Sequence, residues 1–140
     1  MLKFEKLNYV LKMTKITLIT AAVMGVIAII LGAFASHGLK AHLSTEQLQT
    51  FETGVRYQMY HALFLLFVGG STLVAPQYKT IIFYLVIVGV ILFSGSIYGL
   101  ATNTLTNFDF KKIALITPIG GLLLIVSWVV LIINLIKIKI

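Results

Sequence analysis

Four stretches of this chain each run for roughly 20 residues without an Asp, Glu, Lys or Arg. They are Ile16 to Ser36, Tyr57 to Ala75, Thr80 to Ala101 and Ile113 to Ile136. A helix rises about 1.5 Å per residue and the hydrocarbon core of a bilayer is about 30 Å thick, so each stretch has the length of one crossing. The apolar residues are continuous rather than alternating, which is the helical pattern in lipid and not that of a barrel strand. Only 11% of the chain is charged, against about a quarter in a soluble domain, too little to cover a water-facing surface. The expected fold is all-α: a single integral membrane domain over residues 1–140, built as a membrane-spanning four-helix bundle.

Lysines before the first run and the small-x-small triplet Ala33-Phe34-Ala35 offer a signal-peptide reading. The run is longer than a usual signal-peptide core. Its small residues Ala21, Gly25, Ala28, Gly32 and Ala35 or Ser36 recur at helical spacing and make a face for close helix approach. A leucine at Gly32 is expected to spoil that face. Gly89, Ser96 and Gly99, with a Gly95–Gly99 GxxxG pair, give the third run a similar face. Gly120, Ser127 and Asn134 repeat every seven residues down the fourth. Pro118 lies near the start of its run, where a missing N–H costs least.

Between the first two runs, Gly38 to Arg56 reads as a short interfacial amphipathic helix. Ser44 and Gln47 form a capping box, Leu48, Phe51 and Val55 make an apolar stripe, and Glu52 stands one turn before Arg56 in the order that favours an ion pair. No breaker follows Arg56, so this helix either continues into the second run or bends there. Residues 1–12 read as an extension or a misassigned start, with Met13 as the alternative first residue. With four crossings, Lys3, Lys6, Lys12, Lys15, Lys79, Lys137 and Lys139 share one side, and Lys40, Arg56, Lys111 and Lys112 the other. The longer list places both termini in the cytoplasm. The net charge of +7 comes mostly from lysines at the ends of apolar runs, a placement suited to phospholipid headgroups and not to nucleic acid.

Four segments resemble the bacterial membrane-protein family catalogued as domain of unknown function 423, related to eukaryotic transmembrane protein 256. They are Gly32 to Leu39 (GAFASHGL), Tyr57 to Leu63 (YQMYHAL), Phe93 to Tyr98 (FSGSIY) and Thr117 to Gly121 (TPIGG) followed by Trp128. The resemblance runs from Met13 to about Leu135 and leaves residues 1–12 outside. It implies a four-helix protein of the bacterial plasma (inner) membrane. It brings no activity, cofactor or catalytic residues.

Polar groups placed in hydrocarbon are costly and turn inward. His61, one turn into the second run with Tyr57 on its face, is the clearest case. The candidate polar cluster is His37, Glu52, Arg56, Tyr57, Gln58, Tyr60, His61, Ser94, Ser96, Tyr98 and Thr117. His61 is expected to be buried and bonded to Ser94, Ser96, Tyr98 or Thr117, with His37 and Tyr57 at one membrane boundary and Glu52–Arg56 just outside it. Trp128 lies deep in its run, where core packing suits it. Haem ligation by His37 and His61 lacks an attachment motif. A zinc or copper site from His37, His42 and His61 with Glu46 or Glu52 matches no ligand spacing. No cofactor, metal or catalytic residue is therefore expected. The expected role is a non-catalytic partner-binding, assembly or envelope component, in contact with the lipid bilayer and with a second copy or another membrane protein. The alternative is a small oligomeric transporter or channel with a relay through His61, Arg56 and Glu52.

Overall fold

A computed structural model describes residues 1–138; Lys139, used in the charge count above, lies outside the described residues. Among them every regular element is helical. Helix α1 (Leu2–Phe34) continues through a π turn, Ala35–Leu39. Helix α2 covers Thr45–Gly70. Helix α3 (Pro76–Val90) passes through a second π turn, Ile91–Gly95, into α4 (Ser96–Ala101), so the three form one rod. Helix α5 spans Ile116–Ile136. Three rods are long and apolar enough to cross a membrane: Leu2–Leu39, Pro76–Ala101 and Ile116–Ile136.

The segment before the second apolar run is not a separate short helix. Ser44 caps α2 with the expected box: its hydroxyl accepts from Gln47 N–H at 3.2 Å, and the Gln47 side chain accepts from Ser44 N–H at 2.9 Å. With no breaker inside, the helix runs unbroken to Gly70. Leu48, Phe51 and Val55 turn inward and pack with Ala35, Leu39, Leu43, Ala101 and Tyr98. The far end also differs from the expected Ala75. Gly69 and Gly70 favour helix weakly, and Ser71 then folds the chain back by accepting from Leu73 N–H at 3.1 Å. Pro76 opens α3 from its first turn. Asn134 staples this reversal from α5: its Oδ1 accepts from Ala75 N–H and its Nδ2 donates to the Leu73 carbonyl, both at 3.0 Å. Before α5, Asp109 and Asn103 hold a 3₁₀ turn at Phe110–Ile113 by accepting from Lys111 N–H and Phe110 N–H, which delays the helix to Ile116.

Rods α1 and α2 run antiparallel in a steady register. A Cβ added to Gly25 would meet Ala62 at 4.0 Å, one added to Gly32 would meet Val55 at 3.5 Å, and Gly69 lies against Thr17 and Leu18. Ala21, Ala28 and Ala35 are fully buried, so the small face of α1 is its packing face. On α5 the buried positions are Gly120, Leu124, Ser127, Leu131 and Asn134, the seven-residue seam and its intervening leucines. The tightest crossing joins that seam to α3. A Cβ on Gly120 would collide with the backbone N of Phe93, and would lie 2.8 Å from Leu92 C and 2.9 Å from Gly89 O. The Gly95–Gly99 pair works differently from expectation. Gly95 faces open space, and Gly99 makes room for the Phe110 ring rather than for a helix.

Gly120→Ala is expected to lower unfolding stability in detergent by about 1–3 kcal/mol, because the added methyl meets backbone that cannot rotate away. Gly70→Ala, with nothing within 4 Å, should be neutral or slightly stabilising. Thermal or SDS titration of the two variants checks the pair; equal behaviour would mean the crossing is looser than described.

Candidate functional site

The polar residues do not meet in one layer. They divide into four groups, and helical periodicity sets the division. Successive residues on α2 turn by about 100°, so Glu52 and His61 point to opposite sides of one helix.

The first group joins α1, α2 and α4. Gln58 is buried, and its Nε2 donates to the Met24 carbonyl of α1 at 2.9 Å. Its Oε1 accepts from the Tyr98 hydroxyl of α4, also at 2.9 Å. One amide thus links three rods, using both of its ends. Ser94, fully buried in the π turn, donates to the Gly54 carbonyl at 2.8 Å and ties the same rod to α2. Gly54 permits this approach, since a Cβ there would lie 2.7 Å from the Tyr98 ring.

The second group is Ser96 and Thr117, whose hydroxyls lie 2.6 Å apart between α4 and α5. Ser96 Oγ is also 2.5 Å from Leu92 O and 3.0 Å from Phe93 O. A π turn disturbs the i to i−4 ladder, and the single hydrogen of this hydroxyl goes back to the carbonyls there, foremost Leu92 O, which leaves Thr117 to donate to Ser96 Oγ. Ser36 does the same in the first π turn, donating to Gly32 O at 3.1 Å.

The third group lines a cleft of about 280 Å³ between α2 and α5, bounded by Tyr57, His61, Phe93, Gly121, Leu124, Ile125 and Trp128. His61 is 5% exposed. Its Nδ1 lies 2.8 Å from the Tyr57 carbonyl, an acceptor, so Nδ1 carries the proton. Nε2 is then the acceptor, and the Trp128 indole N–H donates to it at 3.4 Å. None of Ser94, Ser96, Tyr98 or Thr117, the expected partners, bonds His61. Trp128 is not a core residue either: it is 47% exposed, with one face stacked on Phe64 at 4.1 Å between ring centroids. Tyr57 completes the aromatic wall, 4.9 Å from Phe93 and 5.8 Å from the exposed Tyr60.

The fourth group is the outward face of α2. Glu52 and Arg56 are exposed, and Arg56 donates to the Thr53 hydroxyl at 3.1 Å rather than to Glu52. Glu46, Gln49 and Thr50 extend this polar surface. His37 is exposed in the π turn of α1. By the α1–α2 register it stands level with Thr50, about 10 Å along the axis from Tyr57. The same register sets Arg56 beside Leu31. The relay Glu52–Arg56–His61 is therefore not assembled, and among the described residues no three His, Asp or Glu side chains gather in a metal-binding group.

Two contacts escaped the sequence reading. Trp128 as the histidine's partner had no signal, since the two lie on different helices 67 residues apart. Lys79, which donates to the Gly69 carbonyl at 2.9 Å, looked like a boundary lysine and serves as a cap for α2.

The family described as "protein of unknown function (DUF423)" matches residues 31–121. The chain belongs to this family. The matched region begins just before the first π turn and holds Gln58, His61, both π turns and the Gly120 crossing. A UPF0382 membrane protein of Staphylococcus saprophyticus is 39% identical over 127 residues, covering 89% of this chain and 99% of the relative. The UPF0382 membrane protein YwdK of Bacillus subtilis is 35% identical, covering 88% and 98%. The UPF0382 inner membrane protein YgdD of Escherichia coli is 32% identical, covering 90% and 93%. No solved structure matches the chain. The family is thus one of helical membrane proteins without a characterised activity.

Gln58→Leu is expected to destabilise the protein by about 0.5–2 kcal/mol, and Tyr98→Phe by less, because Gln58 keeps its bond to Met24 in the second variant. The effects should not add in the double variant, since both remove one shared contact. A double-mutant cycle in detergent measures the coupling; additive losses would show that the bridge carries no energy.

Proposed function

We propose that this protein is a four-span component of the bacterial inner membrane that works without catalysis, by lateral association with a second copy through the outer face of α2. The observation that carries the reading is a contrast between the inside and that face. Among the described residues no buried side-chain nitrogen or oxygen lacks a hydrogen-bond partner. Gln58, Ser94, Ser96 and Asn134 are all engaged in holding helices together. They form no free relay and no pathway, which speaks against the transporter alternative.

The outer face of α2 is different. Arg56 stands level with Leu31, about 7 Å inside the end of the apolar run of α1. Glu52 and Arg56 there face outward beside exposed Tyr60, Leu63 and Phe67. Opposite charges at this depth are best satisfied by each other across a two-fold axis, Arg56 of each copy against Glu52 of its neighbour. In this arrangement α2 crosses the bilayer with its polar first half shielded by the partner. Both termini lie in the cytoplasm on the balance of lysines.

The chain has no cysteine, so single cysteines report cleanly. Leu63→Cys is expected to give a disulfide-linked dimer in native membranes, and Ile132→Cys on the exposed face of α5 should not. Arg56→Glu should reduce the Leu63→Cys crosslink severalfold, and adding Glu52→Arg should restore it. Equal crosslinking from both faces, or no rescue by the charge exchange, would refute association through α2.

A further inference from the structure

The cleft between α2 and α5 lies apart from the association face and has its own chemistry. His61 Nε2 is an acceptor at its edge, because the other ring nitrogen donates to the Tyr57 carbonyl. The Trp128 indole N–H is a donor aimed at that acceptor, but across 3.4 Å, a long and therefore weak hydrogen bond. A donor and an acceptor thus face one space without closing tightly on each other. The space is about 280 Å³, and Tyr57, Phe93 and Trp128 present rings to it while Gly121 leaves one wall open. An apolar cavity of about 150 Å³ already admits benzene, so a substituted ring fits here.

Its depth limits what can enter. The α1–α2 register places His61 beside the middle of α1, about 15 Å from Ser36 and so near the centre of a 30 Å core. Exposed Ile125 and Trp128 open the cleft sideways between the helices. A ligand must arrive through lipid and needs an apolar tail. An acyl chain alone would leave the indole and imidazole as they are. A hydroxyl, which both accepts and donates, can accept from the indole N–H and donate to His61 Nε2 at once.

We propose that this cleft binds the hydroquinone ring of a membrane quinol, with one hydroxyl set between Trp128 and His61 and the ring held against Phe93 and Trp128. The oxidised quinone fits less well. Its carbonyl oxygens only accept, so Nε2 is left facing an oxygen lone pair with no proton between them. The site therefore discriminates the reduced from the oxidised ring by one hydrogen bond, while electron transfer forms no part of the proposal. It is distinct from the Glu52–Arg56 contact of the α2 dimer, since His61 and the α5 residues turn away from Glu52 and Leu63, and it meets the dimer face only where Tyr57 packs on Tyr60.

Trp128 is the chain's one tryptophan, so its emission reports directly from the cleft. The purified full-length protein is titrated in mild detergent with a decyl-substituted benzoquinol, with the matching quinone, and with decanol as a tail carrying a hydroxyl but no ring. The quinol is expected to shift the emission saturably and to bind about tenfold tighter than the quinone, the worth of one hydrogen bond. Decanol should give no saturable change. His61→Phe keeps a ring but removes the acceptor, and should abolish the preference for quinol. Gly121→Leu places its side chain toward the Phe93 ring at ordinary contact distance, not toward backbone, and should block both ligands while the circular dichroism spectrum stays native. Equal affinity for quinol and quinone, saturable binding of decanol, or undiminished binding to natively folded Gly121→Leu would overturn the proposal. If His61→Phe does not fold, the Gly121→Leu and quinol-against-quinone comparisons decide it.

Discussion

The packing of this protein depends on how it handles the interrupted backbone at Ile91–Gly95. An α-helix satisfies its own amides, and a π turn disturbs that ladder by one residue. Where water is absent, each group so released needs a partner. The Ser96 hydroxyl donates back to the Leu92 carbonyl, and the Ser94 hydroxyl reaches the Gly54 carbonyl across the interface. The turn also leaves backbone uncovered by side chains, and Gly120 lies against that backbone. The α2 contact, the α5 crossing and the Phe93 wall of the cleft all lie at one local irregularity. The other π turn, with Ser36 bonded to Gly32, repeats the device where α1 ends.

Much of the fold was legible because hydrocarbon length and small-residue spacing are local properties. The apolar runs of α1, α3–α4 and α5, the seam Gly120–Ser127–Asn134 and the capping box at Ser44 all depend on residues within a few turns of one another. The course of α2 was harder to read. Its composition changes at Arg56, and composition suggested two elements where backbone geometry makes one. The inward residues Phe51, Gly54 and Gln58 span that change, and they are chosen by the neighbouring helices rather than by their own sequence.

The candidate site was legible in kind and not in pairing. Burial of His61 follows from its cost in lipid, whichever helix lies opposite. Its partner depends on the relative rotation of α2 and α5, which no spacing within either helix reveals. Polar residues on four rods looked like material for a single layer. The rods present them to different gaps instead: Gln58 and Tyr98 toward α1, Ser96 and Thr117 between α4 and α5, His61 and Trp128 in the outer cleft, and Glu52 with Arg56 away from all of them.

The Gln58 amide also bears on how the chain assembles as it is synthesised. Its Nε2 partner, the Met24 carbonyl, lies in the helix made just before it, so α1 and α2 can close as a hairpin with that bond in place. Its Oε1 partner, the Tyr98 hydroxyl, emerges some forty residues later. Until then the hairpin carries one bare carbonyl oxygen on an otherwise apolar flank. In the folded protein that oxygen fixes the height at which Tyr98, and with it the α3–α4 rod, meets the hairpin.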